Sequence, residues 1–246
     1  MAIHDETSQR LYLDAALAAG GNVACTPEQA NYLLNVLRLS AGDAVRVFNG
    51  RDGEWRAVIT LPRRKDCRLV IDTLTRAQIS GPDIDYLFAP LKHVRLDYMV
   101  QKATEMGVRR LRPVITRRTI AQRVNLERMR ANAIEAAEQC GLLGIPEVMP
   151  PQDLGAVLAS WEGSRHLIFC DESAETLSPV AALQAESKGP LAVLIGPEGG
   201  FDPAERAALL AAPFTQAISL GPRIMRADTA AVAALALVNA ITGQGW

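Results

Sequence analysis

The chain has 246 residues, 49% of them apolar and 22% charged, which suits one large or two small globular domains with no need of disulfides or metal. Its four cysteines form no CxxC pair and its histidines number three, which argues for reduced thiols in a cytoplasm and against a disulfide frame or a zinc centre. "MAIHDETSQR" lacks the apolar block of a secretory signal, and the longest apolar run, "AAVAALALV" at 230–238, is well short of the ~20 residues of a membrane span.

The first predicted element is a helix in "TPEQANYLLNVLRL", with Thr26 as N-cap, Pro27 at N1 and Gln29 at N3. Strands follow at 44–48, 54–61 and 68–74, where β-branched residues alternate or cluster. "NGRDG" (49–53) supplies the turn between the first two, since Asn and Gly tolerate positive φ. Residues 1–76 therefore read as a small β-barrel with one helix, and "RAQISGPD" (76–83) as a linker.

From 77 to 246 strands and helices alternate. Strands are expected at 86–91, 111–116, 167–170, 191–195 and 217–220. Helices are expected over "RLDYMVQKATEMG" with Gly107 as its stop, over about 125–140, over "FDPAERAALLA" capped by Asp202, and from about 229 to 240. That order implies an α/β domain with a parallel sheet covered on both faces. The small residues of Ala230–Val238 suit core or, by preference, a subunit contact, and His93 and His166 read as structural.

The net charge of −1 conceals an uneven distribution. Lys92 to Arg130 holds eleven bases against Asp97, Glu105 and Glu127, a surplus of eight. Clustered cations create a local potential that the overall sum hides, so the partner is a polyanion met by one face. The candidate phosphate contacts are Lys92, Lys102, Arg109, Arg110, Arg117, Arg118 and Arg123, with a solvated helix face of i,i+4 pairs as the bland alternative, and Arg38, for which a salt bridge inside the first domain is the equal alternative.

In parallel sheets ligands bind beyond the carboxyl ends of the strands. Two such ends carry unusual sequences: "LIGPEGGF" at 194–201 and "LGPRIMRADTA" at 220–230. Neither is a P-loop, which needs a lysine after its glycines, and the chain has no GxGxxG fingerprint, so ATP and NAD lose ground. A ligand with an adenine, a ribose and a cationic centre suits the glycines and Glu198 better; simple tight turns with a capping Glu198 are the bland alternative.

These two segments, with "YLLNVLRLSAGDAVRVFNG" (32–50), "QKATEMGVRRLRPVITRRT" (101–119) and "EAAEQCG" (135–141) in the same order, resemble the RsmE family of 16S ribosomal RNA uracil-N3 methyltransferases, of the trefoil-knotted SPOUT class. The resemblance runs over the whole chain. It implies a PUA-like barrel at 1–76 for RNA binding and a knotted methyltransferase domain at 77–246. It implies S-adenosylmethionine as methyl donor, a uridine of 16S RNA in the small ribosomal subunit as substrate, and a homodimer, with no metal and no membrane. The donor would be held by Leu194, Ile195, Gly196, Pro197, Glu198, Gly199 and Gly200 and by Leu220, Gly221, Ile224, Met225 and Arg226. Asp228, Met225, Tyr32 and Leu142 stand where the family pattern has glutamate, leucine, histidine and arginine; both glycine-rich loops are intact.

Methylation at uracil N3 needs alignment and stabilisation of the charge that builds on the base as its proton leaves. Arg226 is the expected catalytic cation, with Arg223 second. Glu198 is a conceivable base, with donor binding or loop fixing as its stronger role. A non-catalytic RNA-binding or ribosome-assembly factor on the same fold is the competing reading, and a small-molecule α/β enzyme the third.

Overall fold

The computed structural model describes residues 9–63, 66–121, 123–175, 178–185 and 189–243. The chain falls into two compact units, residues 1–80 with 137–144, and residues 81–136 with 145–246.

The first unit is built on β1 (Arg10–Tyr12), β2 (Asn22–Ala24), helix α1 (Pro27–Asn31), β3 (Ala44–Phe48), β4 (Glu54–Arg63) and β5 (Asp66–Arg76). Among the described residues the pairing order is β1-β3-β4-β5-β2, with β1 parallel to β3 and the other pairs antiparallel. Thr26 and Gln29 close the capping box predicted for α1. The helix then widens into one π turn, Tyr32–Val36, stopping short of "LRL". The turn at 49–53 is fixed by Asn49, whose Oδ1 accepts from the amides of Arg51 and Asp52. Gly53, at φ +82°, is obligatory there: a Cβ would stand 2.4 Å from the Arg76 carbonyl oxygen. Leu33, Val45, Val47, Ile59, Leu69 and Ile71 form the core. Beside it a buried carboxylate, Glu54, holds Arg10 at 2.7 Å, Arg46 at 3.4 Å and Arg76 at 3.7 Å. Arg10 and Arg76 in turn donate to the carbonyls of Ala137, Glu138, Leu142 and Gly141. These cations meet the last carbonyls of a helix, the end where cations are favoured.

The second unit contains β6 (Ile84–Phe88), α2 (His93–Glu105), β7 (Arg110–Ile115), α3 (Leu126–Cys140, whose last turn belongs to the first unit), β8 (Glu147–Val148), β9 (Gln152–Asp153), α4 (Leu154–Ala159), β10 (His166–Cys170), α5 (Pro179–Ala185), β11 (Leu191–Ile195), α6 (Pro203–Ala211), β12 (Thr215–Ile218) and α7 (Ala227–Thr242). Every strand pair is parallel, in the order β12-β10-β11-β6-β7-β8 with β9 beside the end of β7. Strands β6 and β11 are buried at every residue, as the apolar runs starting at Tyr86 and Leu191 predict for a sheet covered on both faces; Asp85 of β6 is a buried charge within that pattern. Tyr86, Phe88, Val193 and Ile195 join one core with Met99 and Val100 of α2 and Ala231, Ala234, Leu235 and Val238 of α7. Leu87, Ala192 and Leu194 join the other with Leu154, Val157 and Leu209. Of the Ala230–Val238 stripe, Ala231, Ala234, Leu235 and Val238 form the core face that lets α7 lie close on the sheet and α2, while Val232, Ala233 and Leu237 are half-buried and Ala236 is exposed.

Candidate functional site

Three strand ends meet at one cavity. Strand β11 runs out into residues 196–202, β10 into 171–172, and β12 into 219–226. Between them lies a space of about 530 Å³, lined by Ile195 to Phe201, by Cys170, Asp171 and Glu172, and by Ser219 to Gly221 with Arg223 to Ala227. Its place, beyond the carboxyl edge of a parallel sheet, is where the chain leaves backbone groups and helix starts unpaired.

Local chemistry shapes each wall. Gly196 faces the Phe201 ring so closely that a Cβ would stand 2.4 Å from it. Phe201 in turn packs edge-on against Phe169, with centroids 5.1 Å apart. Gly200 takes φ +69°, and its amide donates back to the Pro197 carbonyl, closing a tight turn. Asp202, Pro203 and Glu205 then start α6 with the capping box that their spacing predicts.

The loop is also held from outside by arginines. Arg95, on the first turn of α2, pairs with Glu198. Arg118 donates to the Gly199 carbonyl at 2.8 Å. The Arg117 amide donates to Glu205 at 2.8 Å and its guanidinium to Asp202 at 3.0 Å. Thus Glu198 faces the cavity already paired, with a partner that is neither Arg223 nor Arg226. Those two arginines are exposed residues of the cavity lining, and their guanidinium groups make no hydrogen bond or ion pair among the described residues. Arg226 is the N-cap of α7 without a side-chain capping bond. Beneath the cavity, burial pushes the Cys170 thiol up to about 12. Burial, with Cys170 and Asp228 adding to it, also raises the Tyr86 hydroxyl, which is buried without a partner among the described residues.

Of the twelve candidate donor-binding residues, eleven line this cavity. Leu194 does not: its neighbours in β11 alternate between the faces, and Leu194 is sealed in the core on the α4–α6 side. The candidate phosphate contacts divide. Lys92 (the N-cap of α2), Arg38 (at φ +58°) and Arg123 are exposed, and their side chains make no hydrogen bond or ion pair among the described residues. Lys102 closes on Glu105 at 2.7 Å, and Arg117 and Arg118 serve the glycine loop. Arg109 and Arg110 sit at the amino ends of the strands, the edge of the sheet away from the cavity. There Arg110 joins Arg112 and the buried Arg165 around the fully buried Asp85, and Arg109 pairs with Asp83. A buried carboxylate needs such partners, so Arg110 is engaged within the fold. No group of metal-binding side chains occurs among the described residues, and no helix is long and apolar enough to cross a membrane.

Residues 79–239 match the model of the RNA methyltransferase domain, and residues 26–72 that of the RNA methyltransferase PUA domain. The ribosomal RNA small subunit methyltransferase E of Synechocystis is 30% identical over 89% of this chain and 73% of its own length. The chain belongs to the ribosomal RNA small subunit methyltransferase E family. The enzyme of that name from Rickettsia conorii is 28% identical over 94% of both chains. Its counterpart from Neisseria gonorrhoeae, solved with S-adenosyl methionine bound, superposes with a TM-score of 0.83 at 28% identity over 95% of this chain and 98% of the other.

In this member of the methyltransferase E family, sequence reasoning passed over Arg95, Cys170, Asp171, Glu172 and Ser219. A strand followed at once by "DES" at 171–173 is a signal of the same kind as the glycine loops, a polar cluster at a carboxyl strand end. Arg95 carried no local signal.

Proposed function

We propose that the protein methylates N3 of a uridine in the 16S RNA of the small ribosomal subunit, with S-adenosylmethionine as donor, at the cavity between residues 195–201 and 219–227. Membership of the methyltransferase E family supports the reaction class and the donor. The observation that carries the location is the convergence of both glycine-rich loops on one space of about 530 Å³. That volume falls within the ~300–1,000 Å³ typical of small-molecule sites. The residues fit the donor. Gly196, Gly199 and Gly200 bring main chain to the cavity wall, where its N–H and C=O groups can read an adenine edge. Asp171 and Glu198 set carboxylates beside a space that must take a sulfonium. Bound there, the donor supplies an electrophilic methyl carbon.

The protein's own part is alignment and charge. As N3 loses its proton, negative charge spreads onto the two flanking carbonyl oxygens. A fixed cation beside them lowers the barrier, because that charge is larger in the transition state than in the bound base. Arg226 and Arg223 fit this role: both line the cavity and neither is committed to a carboxylate. Arg38, Lys92 and Arg123, with Arg117 and Arg118 at the loop, hold RNA phosphates. A homodimer acting in the cytoplasm completes the reading.

Titration calorimetry of the full chain with S-adenosylmethionine tests the site, and mass mapping of small-subunit RNA from cells lacking the gene tests the target. The expected results are one donor per chain and a single uridine lighter by one methyl group. Absence of donor binding, or methylation unchanged in the deletion strain, overturns the reading.

A further inference from the structure

The reaction needs a destination for the N3 proton, and the most obvious carboxylate, Glu198, is engaged by Arg95. We propose that Glu172 is the proton acceptor, and that the target base occupies a second cavity beside the donor's; the inference rests on the methyl-transfer reading above. The second cavity, about 370 Å³, shares Glu172, Ser219, Leu220, Gly221, Arg223 and Ile224 with the first, and is completed by Pro179 and Pro222. The two are lobes of one depression, joined along the β12–α7 loop. The smaller lobe offers flat apolar surface on the two prolines and Leu220. Ile224, 93% exposed, is an aliphatic side chain in open solvent at its rim. Such a wall suits a planar ring, and Arg223 can donate to a ring carbonyl.

Three carboxylates face the larger lobe, and two are already used. Asp171 receives Arg206 at 2.8 and 2.9 Å. Glu198 receives Arg95. Glu172 makes no hydrogen bond or direct ion pair among the described residues, though Arg206, bound to Asp171, feels its charge, and it is the one carboxylate that lines both lobes. One of its oxygens lies 3.0 Å from where a Cβ on Gly200 would stand, so the carboxylate abuts the glycine loop. A base in the smaller lobe that aims N3 toward the larger one presents its N–H to this group. The N3–H bond then breaks and its proton passes to a Glu172 oxygen. The electron pair left on N3 forms the bond to the methyl carbon as the carbon–sulfur pair returns to sulfur. One proton leaves Glu172 for solvent afterwards, and the balance is complete.

The experiment uses the full chain and single-turnover methylation of small ribosomal subunits with saturating donor, wild type first. Glu172→Gln lowers the rate by about 10²–10³-fold, the range of one acid–base group. It leaves the calorimetric Kd for S-adenosylmethionine within about twofold. Glu172→Asp, which keeps a shorter carboxylate, falls in between. Subunits carrying 5-fluorouridine, whose N3–H is more acidic, restore the Gln variant at least about tenfold more than they accelerate the wild type. Pro179→Trp fills the smaller lobe at a residue that does not line the larger one, so methylation is lost while donor affinity is kept. An unchanged rate in Glu172→Gln overturns the assignment, as does a loss that tracks weakened donor binding or one the fluorinated base does not relieve. Full methylation by Pro179→Trp overturns the placement of the base. Failure of the wild type to bind donor would instead remove the underlying methyl-transfer reading, so the two failures are distinguishable.

Discussion

Gly196→Ala is the sharpest single perturbation of the donor loop. A Cβ built on Gly196 stands 2.4, 2.9 and 3.0 Å from three carbons of the Phe201 ring. Carbon atoms in contact prefer about 3.5–4.0 Å, so the ring must retreat by about 1 Å. It has little room to do so, because its edge already meets Phe169, which is fully buried in β10. The relief comes instead from the 196–201 loop moving outward into the cavity. Overpacking of this kind costs about 1–3 kcal/mol. Each kcal/mol lowers Tm by about 2–4 °C in a chain of this size. Because the displaced segment is the donor's wall, the affinity for S-adenosylmethionine should fall at least about tenfold, or about 1.4 kcal/mol. Thermal melts followed by circular dichroism and titration calorimetry read both quantities. Adding Phe201→Ala removes the clash, so the double variant regains donor affinity relative to Gly196→Ala alone, and the two substitutions are non-additive. An unchanged Tm and Kd in Gly196→Ala, or strict additivity in the pair, refutes the close-approach account of this glycine.

Arg226→Ala should cut the single-turnover methylation rate by about 10²–10³-fold, as for the loss of one charge-stabilising group, while donor affinity falls far less. Equal losses of rate and donor affinity would place Arg226 in donor binding instead. Lys92→Ala and Arg123→Ala should weaken RNA binding with fold stability unchanged, each reducing the salt slope by about one. Arg110→Ala should do the reverse, lowering Tm through the exposed charge of Asp85 while leaving the RNA salt slope intact; filter binding at several salt concentrations separates the two cases. Burial alone would push the Glu54 carboxyl up, but the Arg10 hydrogen bond and charge, with Thr75 and Arg76, outweigh it and hold Glu54 below the usual carboxylate range. A depressed pKa stabilises the fold above the unfolded value, near 4.5, and that share is lost as pH falls through the folded value. Acid titration of wild type against Glu54→Gln should therefore show the wild type's advantage disappearing below about pH 4.5, and a parallel loss in both would refute the assignment.

Much of the site was legible without coordinates because its signals are local. Thr26, Asp202 and Gly107 announce helix ends through caps that involve neighbours three residues away. The unbroken apolar run of β11 announces a buried parallel strand, and the glycines at its end announce close approach. Short elements such as β8, β9 and α4 carried too few residues for a period to show.

What the sequence by itself determined was the alternation of strand and helix, the two glycine-rich corners and the residues that form them, since each depends on contacts within a few positions. Only the tertiary structure decided which charges those corners meet. Arg95 reaches Glu198 across 103 positions, and Arg118 reaches Gly199 across 81. It also decided that Arg110 lies at the amino edge of the sheet with Asp85 and that Leu194 faces the core. The physical reason is the same in each case: an ion pair or a choice of sheet face is settled by strands brought side by side from distant parts of the chain, and no local period records it.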